Sequence, residues 1–443
     1  MKDLPSYRSI WKIAWPIILT LLAQNLINVT DTAFLGRVGE VELGASAIAG
    51  LFYIVLFMLG FGFAIGGQIL IARRLGERNY REIGRIFDHS LLFLLALAVV
   101  LFFTIKLLAP LALRVMIQSP QVYQATQDYL RYRIWGIFFA FPAVLFRAYY
   151  TGIARTKYLS WTAALMAVVN ILFDYLLIFG HWIFPAMGIA GAAIASVISE
   201  TVAFVFFVLI SLTPTNLHKY QIFRFKAPQW ALLQKTLEIS VFIMMQYFVS
   251  LAGWFMFFMI IEKMGEHPLA VSNIIRSAYM VLMLPIWAFS SAANTLVSRS
   301  IGAGQKHLVI PVIKRIAGMS FTLIFAVVLF SICFPELILS VYTSDPQLIA
   351  STLPSLYVIS GALLLFSVVQ IIFSAVSGTA NTNMALLIET LTIAIYLLYV
   401  YLVALVWQQP IEVVWSSEYV YFVLLGTLSA LYLKTGRWRK KEV

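Results

Sequence analysis

Residues 38–48 read VGEVELGASAI, and 226 positions further on residues 264–274 read MGEHPLAVSNI. Working outward from this pair, the same offset aligns 11–80 with 237–306 without a gap, and fourteen of those seventy positions are identical. Gly39/Gly265, Glu40/Glu266, Ser46/Ser272, Tyr53/Tyr279 and Arg73/Arg299 are among them. A two-residue shift then pairs AVVLF at 98–102 with AVVLF at 326–330. The first offset returns where GIART at 152–156 faces GTANT at 378–382. A register kept over most of the chain marks a duplication.

The duplicated unit belongs in a membrane. Apolar stretches long enough to cross ~30 Å of hydrocarbon, about 20 residues each, fall near 11–36, 43–72, 88–115, 132–153, 159–180 and 188–212. A second set falls near 238–262, 269–298, 310–341, 352–377, 384–408 and 416–433. Six spans per half is an even number, so both halves enter the membrane in the same direction, as parallel repeats. The expected fold is an all-α integral membrane protein, with twelve transmembrane helices in two six-helix parallel-repeat lobes around a central cavity. The N-lobe is placed at 1–212, a polar and basic cytoplasmic linker at 213–236, and the C-lobe at 237–443.

Composition agrees. Of 443 residues, 62% are apolar and 11% charged, against about 45–50% and 25% in soluble chains, and the mean hydropathy is +0.91. So few charges exclude a soluble domain, and Cys333 as the only cysteine excludes a disulfide scaffold. The net charge of +12 invites a nucleic-acid reading, but the positions of the charges argue against one. Segments 2–12, 73–85, 155–157, 219–235, 299–315 and 434–441 carry twenty-three of the 31 Lys and Arg, and all fall on one side of the membrane. The loop near 378–383 carries none. That asymmetry puts both termini in the cytoplasm, and the first apolar run is too long for a cleavable signal. The expectation is a multi-pass protein of the plasma or inner membrane, partnered by lipid and not by nucleic acid.

Charges inside spans carry the functional reading. Placing Asp at a helix centre costs about 2.5–3.5 kcal/mol even on the lenient insertion scale. Asp31 nevertheless lies within the first span (LLAQNLINVTDTAFLG, 21–36) and Asp174 within the fifth (NILFDYLLIFG, 170–180). Asn170 precedes Asp174 by four residues and projects from the same helical face. Burial penalises the charged form of a carboxyl, which lets it take up a proton, whereas a bound cation keeps it ionised. Two carboxylates with an amide oxygen make a hard oxygen set suited to H⁺ or Na⁺. The structural alternative is a hydrogen bond between helices made by a protonated Asp. At offset 226, Asp31 faces Phe257, Asp174 faces Val400 and Asn170 faces Tyr396. The scaffold therefore works without these groups, and an asymmetric cluster on a duplicated frame reads as a site.

Pro16 lies fifteen residues before Asp31 in the same span. It can bend that helix, or be an ordinary proline near its start. In the second lobe Glu389, Arg276 and Asn294 are polar groups within spans, and 244–258 (MMQYFVSLAGWFMFF) is dense in Met and aromatic residues. Such faces adapt to varied apolar ligands and attract cations. Met244, Tyr247, Trp254, Arg276, Asn294 and Glu389 are thus candidate substrate contacts, with lipid-facing filler as the plain alternative. Glu200, Glu238 and Glu262 lie near span ends and read as solvated edge charges. Five scattered histidines show no metal-ligand spacing, and no Walker sequence or nucleotide-binding glycine loop occurs. The chain does not read as an enzyme, and transport would draw on an ion gradient with no resident cofactor.

These residues resemble the MATE multidrug efflux transporters, nearest to the DinF-like branch. The likeness rests on WPIILTLLAQNLINVTDTAFLGRVG at 15–39, GQILIARRLGERN at 67–79, and NILFDYLLIFG followed by GIAGAAIASVISE at 188–200. It covers essentially the whole chain. The resemblance implies cation-coupled export of amphipathic, often cationic compounds by alternating access, with a single chain sufficing. It further implies that Asp31 is the essential first-helix carboxylate and Pro16 the bend above it. Asn170, Asp174 and Ser196 would complete a cation site in the first lobe, with Gln24 nearby. Ser196 stands where several relatives have Thr, and 352–377 lacks the helix-ten acid of the NorM branch, which favours coupling through the first lobe alone. The rival expectation is a flippase for a lipid-linked saccharide. It would need several arginines to hold a pyrophosphate, and within spans only Arg147 and Arg276 are available.

Overall fold

A computed structural model describes residues 4–225 and 229–441. Lys2, Lys226 and the side chain of Lys440, counted above among the cytoplasmic charges, lie outside what is described, as do the extremities of the two expected lobes. All regular structure among the described residues is helical.

The helices run α1 (Tyr7–Val38), α2 (Glu40–Gly76), α3 (Tyr80–Met116), α4 (Pro120–Gly152), α5 (Lys157–Phe179) and α6 (Gly188–Ser211). They continue with α7 (Trp230–Glu262), α8 (Glu266–Leu282 and Leu284–Gly302), α9 (Lys306–Cys333), α10 (Pro346–Gly378), α11 (Thr382–Val406) and α12 (Ile411–Lys434). Eleven are long and apolar enough to cross a membrane as single spans, and α8 qualifies as a pair bent by 44°. Helices satisfy their backbone groups internally, which is what hydrocarbon demands. Large apolar side chains such as Leu107, Leu111, Trp161, Phe248 and Phe255 are exposed, as helices solvated by hydrocarbon rather than water allow.

Three elements depart from the apolar runs. α4 begins at Pro120, twelve residues before the expected span, with Ser119 capping it by accepting from the Val122 N–H. Its first turns (PQVYQATQDYLRYR) are too polar for a hydropathy window, yet Thr126, Leu130 and Arg133 are buried along one face. The run 310–341 stops being one helix at Cys333 because Pro335 cannot continue it, and a short helix Pro335–Leu339 follows. α8 breaks at Met283, where Pro285 two residues on offers no N–H to the preceding turn.

Two compact units result: Leu19–Ser240, and the described residues before Leu19 together with those from Val241 onward. α1 and α7 each contribute to both. The chemistry of the junctions explains this assignment. Near the start of the chain, Trp11 packs against Phe289, Arg315 donates to the Pro5 carbonyl at 2.8 Å, and its guanidinium lies 4.7 Å from the Tyr7 ring centroid. At the start of α7, Ser240 Oγ donates to the Phe63 carbonyl at 3.1 Å, with Gly66 leaving room for it.

The segment between α6 and α7 is held within the first unit. Asp88 on α3 accepts from the backbone N–H groups of Phe223, Arg224 and Phe225 at 2.7, 3.0 and 3.0 Å. His89 Nε2 accepts from the Gln229 N–H at 2.8 Å while Nδ1 meets the Arg85 carbonyl at 2.7 Å, which fixes the tautomer as Nδ1–H.

In the first unit α5 packs closely on α6, because a Cβ at Gly191 would stand only 2.6 Å from the Leu177 backbone. In the second, α10 carries no charged residue and packs against α8, α9, α11 and α12.

Candidate functional site

Helical spacing puts Asn170 and Asp174 one turn apart on α5, both fully buried, and Asp31 of α1 meets them half-buried. With its amide nitrogen turned toward the carboxyls, the orientation its neighbours require, Asn170 donates to Asp31 Oδ1 at 3.0 Å and to Asp174 Oδ2 at 3.3 Å. Asn170 thus brackets the two carboxyl groups and holds them beside each other. Two ionised carboxylates side by side repel, and a proton or a cation between them relieves that repulsion. Asp174 Oδ1 is buried without a partner. Two adjacent carboxyls and one open oxygen thus sit inside a span, an arrangement able to exchange a proton or receive a small cation.

Beside the trio lies a buried ion pair. Arg133 on α4 makes two hydrogen bonds to Glu200 on α6, at 2.8 and 2.6 Å. The Tyr53 ring of α2 lies 3.6 Å from the guanidinium and its hydroxyl 3.4 Å from both Glu200 oxygens. Tyr129, one turn before Arg133, is within electrostatic reach of Asp31, Asp174, Arg133 and Glu200. Glu200 is therefore not a solvated edge charge: its side chain is only 9% exposed and pairs with Arg133. Arg133 falls at the start of an apolar run, where sequence alone does not separate a solvated charge from a paired one, whereas Glu200 lies midway along the run 188–212. The signal available was Ser196 and Glu200 at a spacing of four, which puts both on one helical face.

Ser196 is buried on α6 one turn before Glu200, and Gln24 is half-buried on α1 two turns before Asp31. Among the described residues no hydrogen bond joins either to the Asp31–Asp174 pair. Pro16 is buried within α1.

The second unit fills the equivalent positions with core. Phe257 and Tyr396, which stand at the offset positions of Asp31 and Asn170, stack with ring centroids 5.8 Å apart, and Val400 is fully buried in the same cluster. Trp254 belongs to this cluster too, 6.2 Å from the Tyr279 ring and 6.4 Å from Trp415. Of the other candidates, Glu389 on α11 is buried. It accepts on Oε1 from Ser250 at 2.6 Å and Tyr421 at 2.8 Å, while Oε2 has no partner. Asn294 is buried with an unpartnered Oδ1. Arg276 lies 5.0 Å from the Phe258 ring, and Met244 and Tyr247 are half-buried on α7. A further buried carboxyl, Glu418 on α12, has no counterpart among the sequence candidates. It accepts from Tyr279 at 3.0 Å and from Tyr396 at 3.2 Å.

Comparison with known proteins completes the description. The family model described as MatE matches residues 16–176 and again 242–402, once in each half of the repeat. A protein of Thermotoga maritima named "Probable multidrug resistance protein NorM" is 24% identical over 100% of this chain and 95% of its own length. A protein of the same name from Agrobacterium fabrum is 29% identical over 66% of this chain and 63% of its own. Among solved structures, a MOP superfamily transporter from Pyrococcus furiosus shares the fold at a TM-score of 0.90 and 18% identity, over 98% of this chain and 97% of that one. An outward-facing "multidrug resistance MATE family transporter" matches equally, at 0.90 and 18%, over 98% and 96%.

Proposed function

The chain belongs to the MatE family, and from that premise we propose that it is a secondary active exporter, releasing amphipathic or cationic organic compounds from the cell in exchange for inward H⁺ or Na⁺. The observation that carries this reading is the trio of Asp31, Asn170 and Asp174, with its two adjacent carboxyls and its open Asp174 Oδ1. With both carboxyls ionised, two negative charges would stand side by side in a desolvated place, where only a cation or a proton neutralises them. Loading and unloading would therefore change what joins α1 to α5. Pro16, earlier in α1, gives that helix a point at which to respond. Ser196 and Gln24 would serve as further oxygen donors to Na⁺ after small side-chain movements.

The substrate side of the proposal lies in the second unit. The unpaired Glu389 Oε2 would attract a positively charged group, and Met244, Tyr247, Asn294 and Arg276 would supply an adaptable surface around it. Trp254 would act from behind, through its packing on Tyr279. Both termini would face the cytoplasm, and one chain would suffice.

The test uses the purified protein in lipid vesicles, loaded with a fluorescent organic cation and given first a pH gradient and then a Na⁺ gradient. Wild type should accumulate the dye against its own gradient in at least one case, and Asp31→Asn should abolish this. Undiminished transport by the variant would sink the assignment.

A further inference from the structure

The repeat places a buried glutamate on the sixth helix of each half, within reach of the tyrosine on the second. In one unit Tyr53 of α2 stands 3.4 Å from Glu200 of α6; in the other Tyr279 of α8 donates to Glu418 of α12 at 3.0 Å. Tyr53 and Tyr279 are equivalent positions at offset 226. The two glutamates differ in what balances their charge. Glu200 has the Arg133 guanidinium of the fourth helix. The fourth helix of the other half, α10, contains no Lys, Arg or His, and the positions at offsets 226 and 228 from Arg133 are Ile359 and Gly361.

The groups facing Glu418 are neutral donors and aromatic rings. From α8 comes the Tyr279 hydroxyl and from α11 the Tyr396 hydroxyl, one to each carboxyl oxygen. Arg276 of α8 lies against the Phe258 ring, and Tyr421 of α12 donates to Glu389 of α11. From α7, Phe257 and Trp254 close over the cluster, with Phe257 4.9 Å from the Trp415 ring. Trp415 itself is held by a 3.2 Å bond from its indole N–H to Ser272. Glu418 is 4% exposed, and no ion pair joins it to a base among the described residues. An uncompensated carboxylate in such a place is costly, and rings packed this closely supply no oxygen shell for a metal ion. A proton needs no such shell.

We propose that Glu418 is a proton-binding site of its own, in which a proton does the work that the Arg133 guanidinium does in the other half. With the proton absent both phenols donate to the carboxylate. With it present, the carboxyl O–H donates to one phenol, which then accepts. The site uses no residue of the Asp31–Asp174 pair and goes beyond the coupling reading given above.

Infrared difference spectroscopy of the full-length protein in lipid nanodiscs, taken between acidic and alkaline buffer, reads protonated carboxyls directly and needs no transport. The expected result is a carboxyl band that disappears as pH rises, is missing in Glu418→Gln, and survives in the Asp31→Asn, Asp174→Asn double variant. Tyr279→Phe, which keeps the ring, should shift the frequency and titration midpoint of that same band. It serves alone if Glu418→Gln fails to fold. A band set unchanged in Glu418→Gln, a Glu418 band indifferent to pH, or no shift in Tyr279→Phe would each overturn the proposal. Failure of the coupling reading would show separately, as Asp31→Asn vesicles that still transport.

Discussion

Arg133 and Glu200 meet as a planar fork and a carboxylate, with bonds of 2.8 and 2.6 Å between α4 and α6 and the Tyr53 ring 3.6 Å from the guanidinium. Breaking a buried pair by removing one partner strands the other charge and costs about 3–5 kcal/mol. Glu200→Ala should therefore unfold markedly earlier on heating in detergent. Replacing both, as Arg133→Met with Glu200→Leu, should restore most of the loss. A Glu200→Ala protein as stable as wild type would show that the pair holds nothing together.

Asn170 ties Asp31 to Asp174 with two bonds to acidic oxygens. A hydrogen bond to a charged group is worth about 1.5–3 kcal/mol, or roughly 10–100-fold in an equilibrium constant. Asn170→Ala should weaken the apparent affinity for the driving ion by that factor while leaving the maximal rate largely intact. Efflux measured against increasing ion concentration separates the two parameters, and an unchanged half-saturation point would count against the role given to Asn170.

Asp88 holds three consecutive backbone N–H groups of 223–225. In Asp88→Ala those donors lose a shared acceptor, and the segment between α6 and α7 should detach without collapse of the helices. Trypsin, which cuts after Lys219 and Arg224, should nick the variant at least tenfold faster than wild type. Equal rates of cleavage would mean that other contacts hold the segment.

A methyl group at Gly191 would lie 2.6 Å from the Leu177 backbone, which has no flexible end to move aside. Gly191→Ala should cost about 1–3 kcal/mol by overpacking. Because α5 carries both Asn170 and Asp174, it should also impair transport from a residue that touches neither. Wild-type melting and transport together would mean that α5 and α6 have slack.

The spans and the doubled frame are readable in the sequence because hydrocarbon imposes length and apolarity on every helix, and duplication leaves a fixed offset. Asp31, Asn170 and Asp174 stand out for the same reason: polar groups inside apolar runs need an explanation. Arg133 escapes that reading because it lies where an apolar run begins; Glu200, midway along 188–212, meets the same criterion as the two aspartates, but its partner stands 67 residues away and only three-dimensional packing pairs them. Glu418, at the first turn of an apolar run, is hidden likewise. Its tyrosine partners come from positions 139 and 22 residues away, which no local pattern links. The bend in α8 and the end of α9 follow from Pro285 and Pro335, but prolines within α1, α3, α4 and α10 sit inside continuous helices. Proline alone therefore does not say which span breaks.

The assignment of the first described turns to the later half has a consequence for biogenesis. Trp11 and Pro5 leave the ribosome long before Phe289 and Arg315 exist, so the opening helix must wait in the bilayer, half unpartnered, until α8 and α9 arrive. Two gene fragments divided after α6 would each lack a piece of their own unit. Co-expressed, they should assemble only by exchanging helix ends, and neither should mature alone.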